Sequence, residues 1–363
     1  MRMLFVHQNF PAQYNHLVKH CASLPGCEAA CIGESANLMR WPGIKGVRIH
    51  GYSLPQEKKS DLHPYLAGLD ANVRRGQAVV RTALEIKKSG FEPDVICVHS
   101  GWGEGLYLKD IFPDARILVF CEFYYNAEGS DVAFESREPL SLDKRLLTRT
   151  RNMTQMLSMA SGDWGISPTE WQRSQYPAMV RERVSVIHDG IDTEVVRPDP
   201  KAHCALVTGA RLRAGDEIVT FVNRNLEPYR GFHIFARALP LIQKLRPKAH
   251  VVIIGENGVS YGAPPPKGTT YREMFMKEVQ DKLDMSKVHF LGRVPYEHFL
   301  TLLRVSAAHV YLTYPFVLSW SMLEAMAAGC LVIGSKTPPV EEVLRHERNG
   351  LLVDFFSPEE VAR

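Results

Sequence analysis

The sequence of 363 residues has little excess charge, no long apolar run and no paired-cysteine motif. Its formal net charge is only +3, and no block of lysines and arginines is interleaved with aromatic residues, so we expect no nucleic-acid partner. No apolar stretch approaches the length of a membrane span. The short apolar run at the N-terminus is followed too soon by polar residues to be a signal peptide.

Cysteine usage and missing motifs exclude further classes of protein. The seven cysteines are scattered, without a C-x-x-C pair, and several lie in apolar runs such as DVICVHS, where a reduced core cysteine is typical. We therefore predict a cytoplasmic protein. The sequence has no G-x-G-x-x-G fingerprint of a dinucleotide site and no D-x-D metal motif, so we predict neither a cofactor nor a bound metal.

Short apolar runs alternate with helical patterns along the whole chain, which is typical of parallel sheets wound with crossover helices. Strands are predicted at MLFVHQ, EAACIG, VRIHGY, DVICVHS, ARILVFCEF, DWGISP and VSVIHDG, and then at EIVTFVNR, AHVVIIGE, KVHFLGRV, AHVYLTY, CLVIGSK and GLLVDFF. Helices are predicted near residues 13–24, 65–88, 105–111, 142–159, 232–244, 271–283, 296–305, 322–328 and 339–345.

This pattern predicts an α/β fold with two Rossmann-like, doubly wound domains. The chain is long enough for two cores, and a stretch rich in Gly, Asp and Pro separates the two series of strands. We predict domains at residues 1–190 and 218–363 with a connector at 191–217. Ligands of open α/β sheets bind beyond the carboxyl ends of the strands, so we expect a cleft lined by the loops that follow them.

The run YPFVLSWSMLEAMAAGC places small residues and one carboxylate at the start of an apolar helix. The backbone N–H groups of Ser319, Trp320 and Ser321 would suit a phosphate group there, and Glu324 would accept hydrogen bonds from sugar hydroxyls. Ser321 and Glu324 also have the spacing of a capping box, in which each side chain binds the other residue's backbone N–H. By itself, the motif leaves both interpretations open.

In order and spacing, VNRNLEPYRGFH, VVIIGEN, VHFLGRV, SWSMLEAMAAGC and SKTPPVEEVLRHERNGLLVD resemble the motifs of retaining glycosyltransferase family 4, which has the two-Rossmann GT-B architecture. The resemblance covers residues 218–354, whereas the first domain matches only in general organisation. It implies a metal-independent, hexosyltransferase-like enzyme of glycan or polysaccharide biosynthesis. Such an enzyme moves a sugar from a nucleoside diphosphate sugar to an acceptor hydroxyl with retention.

The resemblance also implies a set of donor-site residues. Arg224 and Arg230 would have the catalytic role of neutralising the leaving diphosphate, because guanidinium groups fit phosphate oxygens well. Glu324 would hold the ribose, and the turn around Arg293 and Val294 would hold the base. The complete set of implied donor-binding residues is Ser319, Trp320, Ser321, Glu324, Arg293, Val294 and Glu256.

The sequence departs from the family pattern in two places. The family has two glutamates eight positions apart, and Phe316 stands where the first is expected, a position that normally faces the transferred sugar or its phosphate. Members usually continue with a helix that crosses back to the first domain, and we expect this chain to lack that segment. The phenylalanine motivates one alternative function, a non-catalytic nucleotide-sugar-binding protein, and a GT-B sugar-nucleotide epimerase is a further alternative with the same architecture.

Polar residues that follow three strands of the first domain are candidates for the acceptor side. Glu122 follows the fifth strand, where related enzymes carry a residue close to the reacting sugar, and we predict a catalytic role for it. The remaining acceptor-side candidates are Asn9, His99, Gly101, Tyr124 and Tyr125. The two tyrosines could bind acceptor sugars or pack at the domain edge. The predicted acceptor is a glycan, a lipid-linked molecule or a small molecule.

Two segments each allow a functional and a passive interpretation. GVSYGAPPPKGTTY is too rich in Gly and Pro for a helix or a central strand, and could be a flap near the donor site or a simple surface loop. The basic stretch DKRLLTRTRN could contact the inner membrane face peripherally or form a solvated helix face.

Overall fold

The first unit is built on one parallel sheet. The structure is a computed structural model that describes residues 1–54, 61–136, 138–206 and 209–363. These residues divide into two compact units, Met1–Gly190 and Ile191–Arg363. The strands of the first unit are β1 Arg2–Val6, β2 Glu28–Glu34, β3 Val47–Tyr52, β4 Val95–His99, β5 Arg116–Phe120, β6 Trp164–Ser167 and β7 Val184–Val186.

All of these strands were expected from the sequence, and the structure confirms them. They pair in the order β3-β2-β1-β4-β5-β6-β7, and every pair is parallel. Side chains of β1 alternate between two buried clusters, with Leu4 and Val6 in one and Phe5 in the other. The chain reverses its winding between β1 and β4, so the loops after these strands lie at the switch point of the sheet.

The helices of the first unit include three short ones that were not predicted, α2, α7 and α8, and two of the predicted helices have other bounds. They are α1 Asn15–Ser23, α2 Ser35–Leu38, α3 Ala67–Lys88, α4 Leu108–Ile111, α5 Leu142–Arg151, α6 Met153–Ser161, α7 Glu170–Ser174 and α8 Ala178–Arg181. The helix predicted at 105–111 begins only at Leu108, after turns in which Gly103 has a φ of +81°. The helix predicted at 142–159 divides at Asn152, whose side chain binds both the N–H and the carbonyl of Tyr125.

The second unit repeats the architecture with a smaller sheet. Its strands are β8 His203–Ala205, β9 Arg211–Arg213, β10 Ile218–Asn225, β11 His250–Glu256, β12 Val288–Gly292, β13 Ala308–Tyr311, β14 Leu331–Ser335 and β15 Leu351–Val353. Its helices are α9 Phe232–Leu245, α10 Tyr271–Lys277, α11 Tyr296–Val305, α12 Trp320–Ala327, α13 Pro338–Glu341 and α14 Pro358–Ala362. The parallel sheet has the order β12-β11-β10-β13-β14-β15, and all six of its strands confirm the prediction.

The segment predicted as a connector, residues 191–217, lies within the second unit. It contains the antiparallel pair β8 and β9, which the sequence analysis did not include. Leu206 and Leu212 anchor it, since both are buried in the hydrophobic cluster of the second unit. These strands have three residues each, too few for an alternating pattern to be recognised.

The state of the cysteines and the length of the helices complete the description of the fold. All seven cysteines are free, and five of them are buried. Among the residues that the structure describes, no helix is both long and apolar enough to pass through a bilayer.

Candidate active site

Three charged side chains stand at adjacent strand ends of the second sheet. Arg224 lies near the end of β10, Glu256 ends β11, and Arg293 follows β12. These strands are neighbours, and Asn225 pairs with Glu256, so their carboxyl ends lie at one edge. All three side chains are exposed and form no hydrogen bond or ion pair with the described part of the chain. This edge therefore offers two arginines and one carboxylate to a ligand.

Arg230, the second predicted diphosphate ligand, is buried rather than exposed. Its Nη1 donates to Tyr311 Oη at 3.1 Å, to Thr313 Oγ1 at 2.7 Å and to the carbonyl oxygen of Val317 at 3.0 Å. Burial opposes the charge, but the interactions with Tyr311 and Tyr261 outweigh it, and the pKa of Arg230 is raised. Arg230 is thus a permanent cation that ties β13 to the loop before α12.

Phe316, at the position where the resemblance implies a carboxylate, is buried in an aromatic cluster. Its ring centroid lies 5.2 Å from that of Tyr229 and 5.1 Å from that of Tyr261. The guanidinium carbon of Arg230 lies 5.6 Å from the Phe316 centroid and 5.3 Å from the Tyr261 centroid. The cation is therefore flanked by aromatic rings, an attractive arrangement when water is excluded.

The helix that carries Glu324 begins earlier than predicted. Helix α12 starts at Trp320, and its N-cap is Ser319, whose Oγ accepts a hydrogen bond from the N–H of Ser321 at 3.4 Å. The cap of the proposed capping box is therefore Ser319 and not Ser321. The N–H of Ser319 donates to Tyr311 Oη at 2.8 Å, so the hydroxyl that meets Arg230 also fixes the start of this helix.

Glu324 is the fifth residue of α12 and is half-buried. Tyr296 Oη, at the start of α11, donates to Glu324 Oε1 at 2.6 Å. Burial and the adjacent Glu324 carboxylate raise the pKa of the Tyr296 hydroxyl. The predicted ribose ligand is thus held by a phenol from the neighbouring helix. Val294 is half-buried and packs against the hydrophobic cluster of this unit, beside the exposed Arg293.

In the first unit, the structure brings His99 and Glu122 together. His99 Nε2 lies 3.2 Å from Glu122 Oε2, and Gln13 Nε2 donates to Glu122 Oε1 at 2.8 Å. The N–H of Gly101 donates to His99 Nδ1 at 2.9 Å, so the proton of the neutral ring lies on Nε2 and points to Glu122. Burial opposes the negative charge, but the hydrogen bonds from His99 and Gln13 and the electrostatic effects of His99 and His7 together outweigh it and lower the pKa of Glu122.

Beside this pair lie buried polar atoms without a described partner. His7 Nδ1 accepts a hydrogen bond from the N–H of Asn9 at 2.9 Å, so its proton lies on Nε2. His7 Nε2, Gln13 Oε1 and Tyr14 Oη are buried and have no hydrogen-bond partner among the described residues. Burial, together with the nearby His99, lowers the pKa of His7 to about 3. Such groups suit polar ligand atoms, because leaving them unpaired costs free energy.

The other acceptor-side candidates have structural contacts. The side chain of Asn9 is exposed and accepts a hydrogen bond from Asn37 Nδ2 at 2.8 Å. The ring of Tyr124 packs on Tyr176 at 5.2 Å, and the guanidinium carbon of Arg151 lies 4.2 Å from the centroid of Tyr125.

Sequence reasoning did not single out the partners that hold the site together. These partners are Gln13, Tyr261, Tyr296, Tyr311, Thr313 and Glu227.

Comparisons with known proteins show which families the two units resemble. A model described as glycosyl transferase family 4 group matches residues 26–196, and one described as glycosyl transferases group 1 matches residues 209–363. The chain is similar to a GDP-mannose-dependent alpha-(1-6)-phosphatidylinositol monomannoside mannosyltransferase of Mycobacterium tuberculosis. The two sequences are 24% identical over 386 residues, which cover 99% of this chain and 87% of that relative.

Two solved structures resemble the fold over the whole chain. Sucrose-phosphate synthase of Thermosynechococcus elongatus has a TM-score of 0.70 at 15% identity, with 100% of this chain and 88% of that one covered. HepE of Anabaena, in complex with UDP-glucose, has a TM-score of 0.66 at 15% identity with the same coverage of 100% and 88%. Two Rossmann-like units that match glycosyltransferase models in succession identify the chain as a glycosyltransferase of the GT-B class.

Proposed function

We propose that the chain transfers a sugar from a nucleoside diphosphate sugar to an acceptor hydroxyl, with retention and without a metal ion. The observation that carries this proposal is the edge of the second sheet, where Arg224 lies near the end of β10 and Arg230, in the turn that follows, binds the loop before α12. Two cations and a helix N-terminus complement a diphosphate. Arg293 and Val294 would hold the base, Glu324 the ribose, and Glu256 would complete the donor site.

Charge stabilisation accounts for most of the proposed catalysis. As the bond between the sugar and the diphosphate breaks, negative charge grows on the phosphate oxygens, and the leaving phosphate takes the proton of the acceptor hydroxyl. Arg224 is exposed and unpaired in the described structure, so its guanidinium can approach those oxygens directly. Arg230 adds a fixed positive charge in a low-dielectric setting, where it acts more strongly than in water.

The acceptor is proposed to bind near His99 and Glu122 of the first unit. The His99 Nε2–H is directed at the Glu122 carboxylate, and the unpartnered atoms of His7, Gln13 and Tyr14 offer further polar contacts. These groups would bind and orient a hydroxyl-rich molecule. Asn9, Gly101, Tyr124 and Tyr125 would lie at its margins. The acceptor classes are a glycan, a lipid-linked molecule and a small molecule.

Replacing Arg224 tests the donor site. We expect Arg224→Ala to lower kcat by roughly a hundredfold, of the order seen when one charge stabiliser is removed. Arg246→Ala is the control, since Arg246 is an exposed arginine at the C-terminal end of α9 that pairs with Glu217 at 3.6 Å. Transfer rates would be measured at saturating donor. Unchanged turnover and donor affinity in Arg224→Ala would contradict the mechanism.

A thermal-shift screen identifies the donor. UDP-, GDP- and ADP-sugars are tested in turn, since a ligand that binds only the folded state raises the melting temperature. Transfer, hydrolysis and epimerisation are then followed for each ligand that binds. Saturable binding without any turnover would favour the non-catalytic binding protein, and conversion of the sugar without an acceptor would favour the epimerase. The expectation of a carboxylate where Phe316 stands is the reason to test for the non-catalytic binding protein.

We also propose that the first unit contacts an anionic membrane face through α5 and α6, as a lipid-linked acceptor would require. On these helices Leu142 is 71% exposed and Leu146 is 45% exposed. Further exposed apolar and basic residues there are Met153, Leu157, Lys144 and Arg149. This mixture suits an interfacial surface.

Vesicle binding tests the membrane contact. We expect co-sedimentation with vesicles that contain an anionic lipid and little with purely zwitterionic ones. The double variant Leu142→Gln/Leu146→Gln should lose it. Met179→Gln, which changes an equally exposed apolar residue on α8, should not. Equal binding of the double variant and the unchanged protein would contradict the proposal.

A further inference from the structure

Glu227 is a buried carboxylate with an unusual set of partners. Its side chain is completely buried, and it lies just before the turn that carries Arg230. Glu227 Oε1 accepts the N–H of Ser260 at 3.0 Å, and Oε2 accepts those of Tyr261 at 3.2 Å and Gly262 at 3.1 Å. Three successive backbone N–H groups thus converge on one carboxylate, and such charge-assisted hydrogen bonds are stronger than neutral ones.

These bonds fix a stretch that has no regular structure of its own. Residues 258–262, here called the arm, follow β11 and begin the Gly- and Pro-rich segment. Asn225 Nδ2 donates to Ser260 Oγ at 2.7 Å, which adds a second attachment to the end of β10. Because the arm contains no helix or strand, the backbone N–H groups of Ser260, Tyr261 and Gly262 take their partner from Glu227. The arm is therefore a fixed feature of this strand edge.

The arm determines where the ring of Tyr261 lies. The ring centroid is 5.3 Å from the guanidinium carbon of Arg230, 5.7 Å from the Tyr229 centroid and 5.1 Å from the Phe316 centroid. Tyr261 remains 38% exposed. One part of the ring thus covers Arg230 while the rest stays accessible to solvent. Without the arm, the side of Arg230 that the ring covers would meet water.

We infer that Glu227 is a positioning residue of the donor site, which holds the arm so that Tyr261 covers the Arg230 guanidinium. This inference rests on the proposed glycosyl transfer. Excluding water from Arg230 lowers the local dielectric and strengthens the attraction between its charge and a diphosphate. A fixed ring also spares the donor the entropy of ordering the arm when it binds. Glu227 holds the arm through the backbone N–H groups of Ser260, Tyr261 and Gly262, and its negative charge also acts directly on Arg230.

Hydrogen exchange tests the attachment of the arm without any need for activity. In Glu227→Gln, the amide group has only one acceptor oxygen, and its NH₂ faces backbone donors. We expect faster exchange in the peptide that contains Ser260, Tyr261 and Gly262. The matched control is Glu273→Gln, since Glu273 accepts the N–H of Thr270 in a capping box at the other end of the segment, where glutamine also fits. Unchanged exchange in Glu227→Gln would overturn the inference.

Kinetics test the consequence for the donor. We expect Glu227→Gln to lower kcat/KM for the nucleotide sugar roughly ten- to a hundredfold, as misplaced site residues do, while the KM of the acceptor is unchanged. Glu273→Gln should match the unchanged protein. Tyr261→Ala leaves Glu227 in place and should lower kcat/KM for the nucleotide sugar in the same way. This second variant tests the inference even if Glu227→Gln folds poorly.

The outcomes separate this inference from the proposed function. Faster exchange with unaltered donor kinetics in Glu227→Gln, or normal kinetics in Tyr261→Ala, would show that the arm has no role at the donor site. An equal loss of affinity for donor and acceptor would indicate general damage and would also overturn the inference. If the unchanged protein neither binds nor converts any nucleotide sugar, the proposed function fails and the donor role of Glu227 fails with it, whereas hydrogen exchange still decides whether Glu227 holds the arm.

Discussion

Several buried side chains of the first unit hold polar atoms that folding leaves unpaired. Glu104 is 1% exposed, and its Oε1 accepts a hydrogen bond from Tyr52 Oη at 2.7 Å. Its Oε2 is buried without a hydrogen-bond partner among the described residues. Burial raises the pKa of Glu104 to about 7, although Tyr52 and Arg75 act in the opposite direction. Between pH 4.5 and 7, the carboxyl group of Glu104 is therefore protonated in the folded state and ionised in the unfolded chain.

Glu104→Gln should therefore stabilise the protein at alkaline pH. The folded-state pKa of Glu104 is raised, so the free energy of unfolding decreases as the pH rises from 4.5 towards 7. The full decrease is on the order of 3 kcal/mol. Glutamine keeps an acceptor for Tyr52 and does not ionise. We expect the free energy of unfolding of the variant to exceed that of the unchanged protein more at pH 8 than at pH 5.5 in urea titrations. Glu92→Gln, at an exposed site, is the control, and a difference independent of pH would contradict the assignment.

Residues also show where the sequence-based interpretation of the site needed the structure. Arg224 and Arg230 were treated as equivalent cations, yet one is exposed and the other is enclosed by hydroxyls and aromatic rings. The family resemblance led us to expect a carboxylate where Phe316 stands, but the contacts of Phe316 with Arg230 and Tyr261 could not be expected from the motif. Enclosure depends on residues that are distant in sequence, so the motif alone could not reveal it.

At the scale of the element, the connection between β10 and α9 depends on one glycine. Gly231 has a φ of +71°, caps the turn that carries Arg230, and directly precedes α9. A Cβ at this position would lie 2.3 Å from the Cβ of Leu312. Both the left-handed backbone and the close approach of the chain after β13 therefore require glycine here.

Gly231→Ala should be strongly destabilising. The left-handed backbone costs roughly 1–2 kcal/mol for a residue with a Cβ, and relieving the contact with Leu312 adds about 1–3 kcal/mol. Gly215→Ala is the matched control, because Gly215 has a φ of +95° and nothing within 4 Å of its added Cβ. Urea unfolding should show a clearly larger loss for Gly231→Ala than for the control. Equal losses would mean that Leu312 moves aside freely.

At the scale of the whole molecule, each unit buries a neutral histidine. His7 of the first unit has its pKa lowered to about 3 by burial and by His99. His309 of the second unit has its pKa lowered to about 4 by burial. His309 Nδ1 lies 2.9 Å from Thr220 Oγ1, and its Nε2 is without a hydrogen-bond partner in the described structure. A proton added to either ring would introduce a charge into a core.

The two histidines should accordingly make a contribution to stability that is lost in mild acid, opposite in direction to that of Glu104. Both folded-state pKa values lie below the unfolded value of 6.5. Each neutral ring therefore contributes its full stability above pH 6.5. The contribution of His309 disappears as the pH falls from 6.5 towards 4. For His309 the total is about 3 kcal/mol. In urea titrations from pH 7 to 4.5, the free energy of unfolding of His309→Asn should change less unfavourably on acidification than that of the unchanged protein. His298→Asn, on the exposed side of α11, should keep the original slope, and identical slopes in all three proteins would refute the assignment.

The sequence by itself determined the two series of parallel strands, most helix positions and the polar positions at strand ends, because apolar periodicity and turn residues are local properties of the chain. Only the tertiary structure decided which side chains meet. Glu227 binds backbone groups 33 to 35 residues away, and Tyr296 reaches Glu324 across 28 residues. Such pairs depend on how loops and helices pack around the sheet. The burial of Arg230, the cap at Ser319 and the fixed arm followed from that packing and could not be derived from spacing.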